Sequence, residues 1–186
     1  MSLYSLATLI QILSNIIISI FLLRFFLQLC NASYANPICA ILYKATQPIV
    51  GIFAKFFKKT SRIDWALLIC IFIIAIILQI IQLKILPIPF SIIKSLMLAV
   101  VFIIDNTLNV IFFATIIAVI ASWVKAPENN ALVNVAYTIT KPILKVFAKV
   151  ILPQGKFDFG PFILLILIKT IQWLVLNSLI IRIWSL

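Results

Sequence analysis

The sequence predicts an all-α membrane protein with four transmembrane helices. Of its 186 residues, 65% are hydrophobic and 10% are charged, and the mean hydropathy is +1.28. Soluble domains are about half apolar and about a quarter charged, so this chain is expected in lipid. Its apolar runs lack the alternation of barrel strands, and a helix satisfies its own backbone groups in hydrocarbon. Helices are therefore predicted.

Four apolar segments have the length of a membrane span, since a bilayer core of roughly 30 Å needs about 20 residues per helix. They run over about Leu3–Leu29, Trp65–Leu86, Leu96–Trp123 and Phe162–Ile183. The segments between them are too short for a separate soluble domain.

An internal repeat relates the two halves of the chain at an offset of 94 residues. Eight identities in one ungapped stretch carry it, namely Tyr43, Thr46, Pro48, Ile49, Phe53, Ala54, Lys55 and Asp64 with Tyr137, Thr140, Pro142, Ile143, Phe147, Ala148, Lys149 and Asp158. We predict repeats at 1–93 and 94–186. Two spans per repeat make the copies parallel, related by a pseudo-two-fold along the membrane normal.

Topology is predicted from Lys and Arg. The two loops inside the repeats carry ten of these residues, whereas the opposite face has three. Positive residues favour the cytoplasm, so both loops are predicted to be cytoplasmic and both termini to lie outside.

These loops also have an amphipathic pattern. Lys141, Lys145 and Lys149 follow one another at four-residue spacing, and the first copy has Lys55, Lys58 and Lys59. The pattern predicts a basic helix along the membrane interface in each loop, able to bind anionic lipid or an acidic partner. Pro48 and Pro142 are expected in the first turns of these helices. The alternative is that the lysines only fix topology.

The recurring residues resemble the signature of the YggT family. They are Asn36-Pro37, Tyr43-x-x-Thr46-Gln47-Pro48, Lys55 and Asp64, then Tyr137-x-x-Thr140-x-Pro142, Lys149 and Asp158-Phe159-Gly160-Pro161. The resemblance covers nearly the whole chain. It implies a small protein of the bacterial inner membrane or of plastids without established enzymatic activity. Relatives are linked to osmotic tolerance, to envelope or division-site organisation, and to cytochrome b6 maturation.

Several polar residues lie within the predicted spans. Asp105 and Asn109 share one helix face, Asn15 is the repeat equivalent of Asn109, and Lys169 lies near the middle of the last span. They could bind helices together or, with Gln172, line an ion path. Lys169 could instead extend to the cytoplasmic interface.

Three further residues have structural interpretations. Asp64 and Asp158 precede the second span of each repeat, where an N-cap is the favoured role over ion binding. Arg24, near the end of the first span, is expected to anchor at the membrane interface.

The sequence therefore favours a non-enzymatic membrane scaffold or biogenesis factor, with anionic lipids, other membrane proteins or a second copy as partners. An ion channel or transporter component, for potassium, is the alternative. The chain has no histidine and no C-x-x-C spacing, so no catalytic, metal or cofactor site is expected. Nucleic acid is not an expected partner, because the basic residues adjoin apolar spans.

Overall fold

A computed structural model describes the backbone of residues 3–57, 63–85, 91–148 and 160–185. All regular secondary structure in these ranges is helical, which confirms the predicted class. The elements are α1 (Leu3–Leu29), α2 (Pro37–Ala54), α3 (Trp65–Ile85), α4 (Ile92–Val124), α5 (Ala131–Ala148), α6 (Gly160–Ile171), a π-helical turn (Gln172–Leu176) and α7 (Asn177–Ser185).

Five segments of the described chain are long and apolar enough to cross a membrane. Four correspond to the predicted spans, namely Leu3–Leu29, Trp65–Ile85, Ile92–Val124 and Gly160–Ile183. The fifth is Pro37–Ala54, which the sequence analysis assigned to an interfacial loop. Between 17% and 39% of the most apolar window of each segment is buried. The rest of these surfaces is left for lipid or for partners.

The boundaries of α2 and α5 differ by 94 residues, as do the positions at which the chain leaves α1 and α4. α2 and α5 have 18 residues each, and Asn36 and Asn130 accept hydrogen bonds from the backbone N–H groups at their first turns. The chain leaves α1 at Asn31 and α4 at Lys125, with φ of 54° and 53°. This left-handed conformation ends many helices, because it turns the chain while satisfying the last carbonyls.

The predicted position of Pro48 and Pro142 in a first turn is wrong. Both lie inside helices, because α2 begins at Pro37 beneath the Asn36 cap and α5 begins at Ala131. An internal proline removes one backbone hydrogen bond and costs about 3 kcal/mol in water. Both prolines are exposed, and each helix is held at its start by an asparagine cap.

The core lies where α1, α3 and α4 pack together. Small residues such as Ala66, Cys70, Ala75 and Ala99 are fully buried there, beside Ile18. Small side chains let helix backbones approach closely, which is how helices associate in a membrane. α2 packs on α1 and α3, and α5 packs on α4. Each half therefore has a shorter helix lying against its first span.

Candidate functional site

A network of polar side chains joins α4 to the π-helical turn. Gln172 Nε2 donates hydrogen bonds to Asp105 Oδ1 at 2.8 Å and to Asn109 Oδ1 at 3.0 Å. Asn109 Nδ2 in turn donates to Asp105 Oδ2 at 3.3 Å. Both carboxylate oxygens of Asp105 are therefore paired, so the acid is held between two helices.

Lys169 enters the same network without touching the acid. Its Nζ donates to Gln172 Oε1 at 2.8 Å and lies 4.2 Å from the centre of the Phe112 ring. The bond draws the ammonium towards the C-terminal end of the helix, away from the predicted cytoplasmic end. Lys169 is exposed. Gln172 thus bridges Lys169 and Asp105, and π-helical turns of this kind often accompany functional sites.

Asn15 belongs to a second cluster, between α1 and α4. Its Oδ1 accepts hydrogen bonds from Asn106 Nδ2 at 3.4 Å and from Gln11 Nε2 at 3.3 Å. Asn106 is 1% exposed and also contacts Ser19. A groove of about 650 Å³ runs past Asn15, Ser19, Asn106 and Asn109, and its other walls are apolar. Asn109 therefore adjoins both clusters.

Arg24 occupies a different position from the expected interfacial anchor. It is 6% exposed, and its guanidinium donates to Thr46 Oγ1 at 2.6 Å and to Gln47 Oε1 at 2.8 Å. Its Cζ lies 4.5 Å from the centre of the Tyr43 ring. The cause is α2, which folds back against α1 and supplies all three partners.

The signature acid Asp64 caps α3. Its Oδ1 accepts the backbone N–H of Leu67 at 3.2 Å, the geometry expected of an N-cap, and its Oδ2 accepts Gln28 Nε2 at 3.4 Å. Asp158, its equivalent in the second half, lies outside the described residues.

The signature threonines are buried, with Thr46 at 1% and Thr140 at 0% exposure. Thr46 Oγ1 donates to Leu42 O and accepts from Arg24, whereas Thr140 Oγ1 donates to Ala136 O at 2.8 Å. The residue that corresponds to Arg24 in the second half is Ala118. The two halves therefore differ in chemistry at this point.

The lysines predicted to bind lipid or a partner are exposed where the structure describes them, namely at Lys55, Lys141 and Lys145. Lys141 forms an ion pair with Glu128, at 3.6 Å, and lies 5.1 Å from the centre of the Tyr137 ring. Three others, Lys58, Lys59 and Lys149, lie outside the described residues.

Three residues outside the main set of predicted site residues complete these clusters. Gln47, Asn106 and Gln172 each supply hydrogen bonds on which the predicted residues depend. Gln172, three residues after Lys169 on the same helix face, was expected only as part of an ion path. Gln47 was not predicted as a site residue, because its contact with Arg24 depends on how α2 packs against α1.

No group of three or more His, Cys, Asp or Glu side chains that could hold a metal ion occurs in the part of the chain described. The features that do occur are long apolar helices, small residues at their contacts, and amide and carboxylate side chains bonded between them. Together they define an all-helical protein of the membrane type.

Comparison with known proteins identifies the family. The CCB3/YggT family model matches residues 3–86 and 97–179, so the chain belongs to the CCB3/YggT family. It is 31% identical to Uncharacterized protein PA0392 of Pseudomonas aeruginosa over 91% of this chain and 87% of the relative. It is 28% identical to Uncharacterized protein YggT of Escherichia coli K12 over 91% of this chain and 86% of the relative. No solved structure matches it significantly.

Proposed function

We propose that this chain is a non-enzymatic scaffold or biogenesis factor of the bacterial inner membrane, and that it works by binding a transmembrane helix of another protein. The observation that carries the proposal is the exposure of Lys169 within the candidate span Gly160–Ile183. Thr170, Trp173 and Asn177 are exposed on the same segment. We call these four residues the exposed polar stretch.

A lysine in this position requires a partner. An ammonium group near the middle of a span costs at least about 2.5 kcal/mol on insertion scales, and such groups normally face protein or water. Gln172 supplies one acceptor for the three donors of Lys169, and Phe112 covers one side. A helix that brings a carboxylate or amide oxygen to the same depth would satisfy the remaining donors.

Symmetry favours a different protein over a second copy at this surface. A two-fold axis along the membrane normal would bring two Lys169 side chains together, because such an interface pairs each patch with itself. Like charges in a medium of low dielectric repel strongly. A homo-oligomer therefore needs another surface.

We also propose the insertion that the sequence suggests. The chain would cross the membrane four times as two parallel repeats, with α2 and α5 along the cytoplasmic interface and both termini outside. Two observations support the repeats. The family model matches the chain in two separate ranges, and the boundaries of α2 and α5 differ by 94 residues. Cellular roles in envelope organisation, division or osmotic tolerance agree with such a scaffold.

Site-specific photo-cross-linking tests the scaffold function. A photoreactive phenylalanine analogue replaces Trp173, which is 72% exposed in the exposed polar stretch, and cells are irradiated before membranes are solubilised. We expect one reproducible adduct with another membrane protein, identified by mass spectrometry. The matched control carries the analogue at Phe72 on α3, which is 41% exposed.

The control separates specific binding from random collision in the membrane. An adduct at Trp173 that is missing at Phe72 supports the proposal. Equal labelling at both positions, or labelling by lipid alone at Trp173, contradicts it.

A second function, potassium transport, is favoured by the chain of contacts from Lys169 through Gln172 to Asp105 beside a π-helical turn. Each oxygen of the Asp105 carboxylate already accepts a side-chain hydrogen bond, as in a structural link between helices. Potassium flux into proteoliposomes decides between the two functions. Flux that Lys169→Leu or Asp105→Leu abolishes supports transport, and absence of flux with the Trp173 adduct supports the scaffold.

A further inference from the structure

A second cavity, unrelated to the exposed polar stretch, opens between the end of α1, the middle of α2 and the start of α3. Its volume is about 900 Å³. Its polar walls include Arg24, Gln28, Lys44, Gln47 and Asp64, and its apolar walls include Val50, Ala54 and Phe57. One cavity therefore offers both charged and apolar surface.

The guanidinium of Arg24, which lines this cavity, has more N–H donors than the described acceptors use. Thr46 and Gln47 each take one of its five N–H groups, and Nε has no hydrogen-bond partner among the described residues although the side chain is 6% exposed. Each terminal nitrogen of the guanidinium keeps one further N–H group with which it could bind an acceptor in the cavity.

The charges of the cavity specify the acceptor. Among the described lining residues, Arg24 and Lys44 are cationic and Asp64 is anionic, which gives these residues a net charge of one positive unit. Both oxygens of Asp64 already accept hydrogen bonds, from Leu67 N and Gln28 Nε2. One monoanion balances the lining, whereas a dianion would leave an excess negative charge. Arginine and lysine side chains are both common ligands of phosphate groups.

We infer that this cavity binds the phosphodiester group of a membrane phospholipid, with Arg24 and Lys44 on the phosphate and the glycerol and acyl portions against Val50, Ala54 and Phe57. The phosphodiester is a monoanion, and its apolar chains match the apolar walls. Neither Lys55 nor Lys141 is among the residues that line this cavity.

The second half of the chain lacks these features. Ala118 stands where the first half has Arg24, and Thr138 stands where it has Lys44. Lys141, which corresponds to Gln47, is exposed and paired with Glu128. The inferred site therefore belongs to the first half alone, with a stoichiometry of one lipid per chain.

Native mass spectrometry of the delipidated full chain tests the inference. Phosphatidylglycerol and inorganic phosphate are titrated separately, and folding is checked by circular dichroism. We expect one tightly held phosphatidylglycerol and about tenfold weaker binding in Lys44→Gln and in Arg24→Lys, because each loses a charge-assisted hydrogen bond to phosphate. The control Lys94→Gln, in the first turn of α4, removes one charge elsewhere and should retain the lipid.

Two variants are used so that the test gives a result even if one of them fails to fold. Lys44 is exposed, so Lys44→Gln should fold even if Arg24→Lys does not, and it then decides alone. Lipid binding equal to that of the unmodified chain in folded Lys44→Gln overturns the inference. Binding of inorganic phosphate that displaces the lipid also overturns it, because the ligand would then be free phosphate.

Discussion

The guanidinium of Arg24 donates a hydrogen bond of 2.6 Å to the hydroxyl of Thr46, which joins the first span to the helix that follows it. Both side chains are buried. The Thr46 hydroxyl can accept this bond because its own proton goes to Leu42 O, at 2.6 Å. The buried charge of Arg24 thereby ties α1 to α2.

Replacing Thr46 by Val should lower the free energy of unfolding by about 1 to 3 kcal/mol, because it leaves a buried charged donor unpaired. Thr140→Val is the matched control. It changes the equivalent hydroxyl, which bonds only within its own helix and has no arginine beside it, so a small effect is expected. Unfolding in detergent monitored by circular dichroism measures both. Equal losses would show that the Arg24 bond contributes nothing specific.

The cap on α3 gives a second prediction. Asp64→Ala should cost about 1 kcal/mol, since the N–H of Leu67 loses its acceptor. Asp64→Asn retains a capping oxygen and should keep most of that stability. The same unfolding measurement applies. If Asn proves as harmful as Ala, the negative charge and not the cap is what matters.

The network at the π-helical turn should contribute to helix association. Gln172→Leu removes the hydrogen bonds to Asp105, Asn109 and Lys169. Hydrogen bonds between membrane helices contribute about 0.6 kcal/mol on average, with a maximum of about 1.7 kcal/mol. We expect a loss of about 1 to 2 kcal/mol in unfolding free energy. Thr170→Val, whose hydroxyl bonds to Ile166 O in its own helix, should be nearly neutral. An unchanged stability for Gln172→Leu would contradict a structural role.

Reversing the charge of the loop lysines should change lipid binding without changing the topology of the chain. In a triple variant with Lys141, Lys145 and Lys149 changed to Glu, we expect an unaltered orientation, because Lys125, Lys156 and the first loop still carry positive charge. Co-purifying anionic lipid should fall, since each surface lysine attracts head groups by about 1 kcal/mol. Terminal reporter fusions and lipid analysis measure the two effects. Inverted orientation, or unchanged lipid with correct orientation, would refute the lipid-binding interpretation.

Local signals predicted much of the helical organisation. Apolar length located the spans, and the position of Asp64 before Trp65 indicated the cap that its bond to Leu67 forms. Pro48 was predicted in the first turn of α2, whereas Asn36-Pro37 supplies both the cap and the proline at the start of this helix.

Contacts between helices could not be predicted from local sequence signals. Arg24 resembles an interfacial arginine until α2 is packed against it, and the bridge from Lys169 to Asp105 depends on Gln172 turning inward at the π-helical turn. Such contacts depend on tertiary packing, which neither hydropathy nor spacing encodes. The exposed position of Lys169 likewise emerged only from the structure.

The most direct measurement of the central claim is recovery of the protein cross-linked at Trp173, by quantitative pull-down, from cells expressing Lys169→Leu. The account predicts roughly a tenfold loss of that protein, because its acceptor would lose the lysine ammonium. Ser178→Ala, which removes a hydroxyl bonded to Val175 O in the same segment, should leave recovery unchanged. Full recovery with Lys169→Leu would contradict the claim that this lysine binds a partner helix.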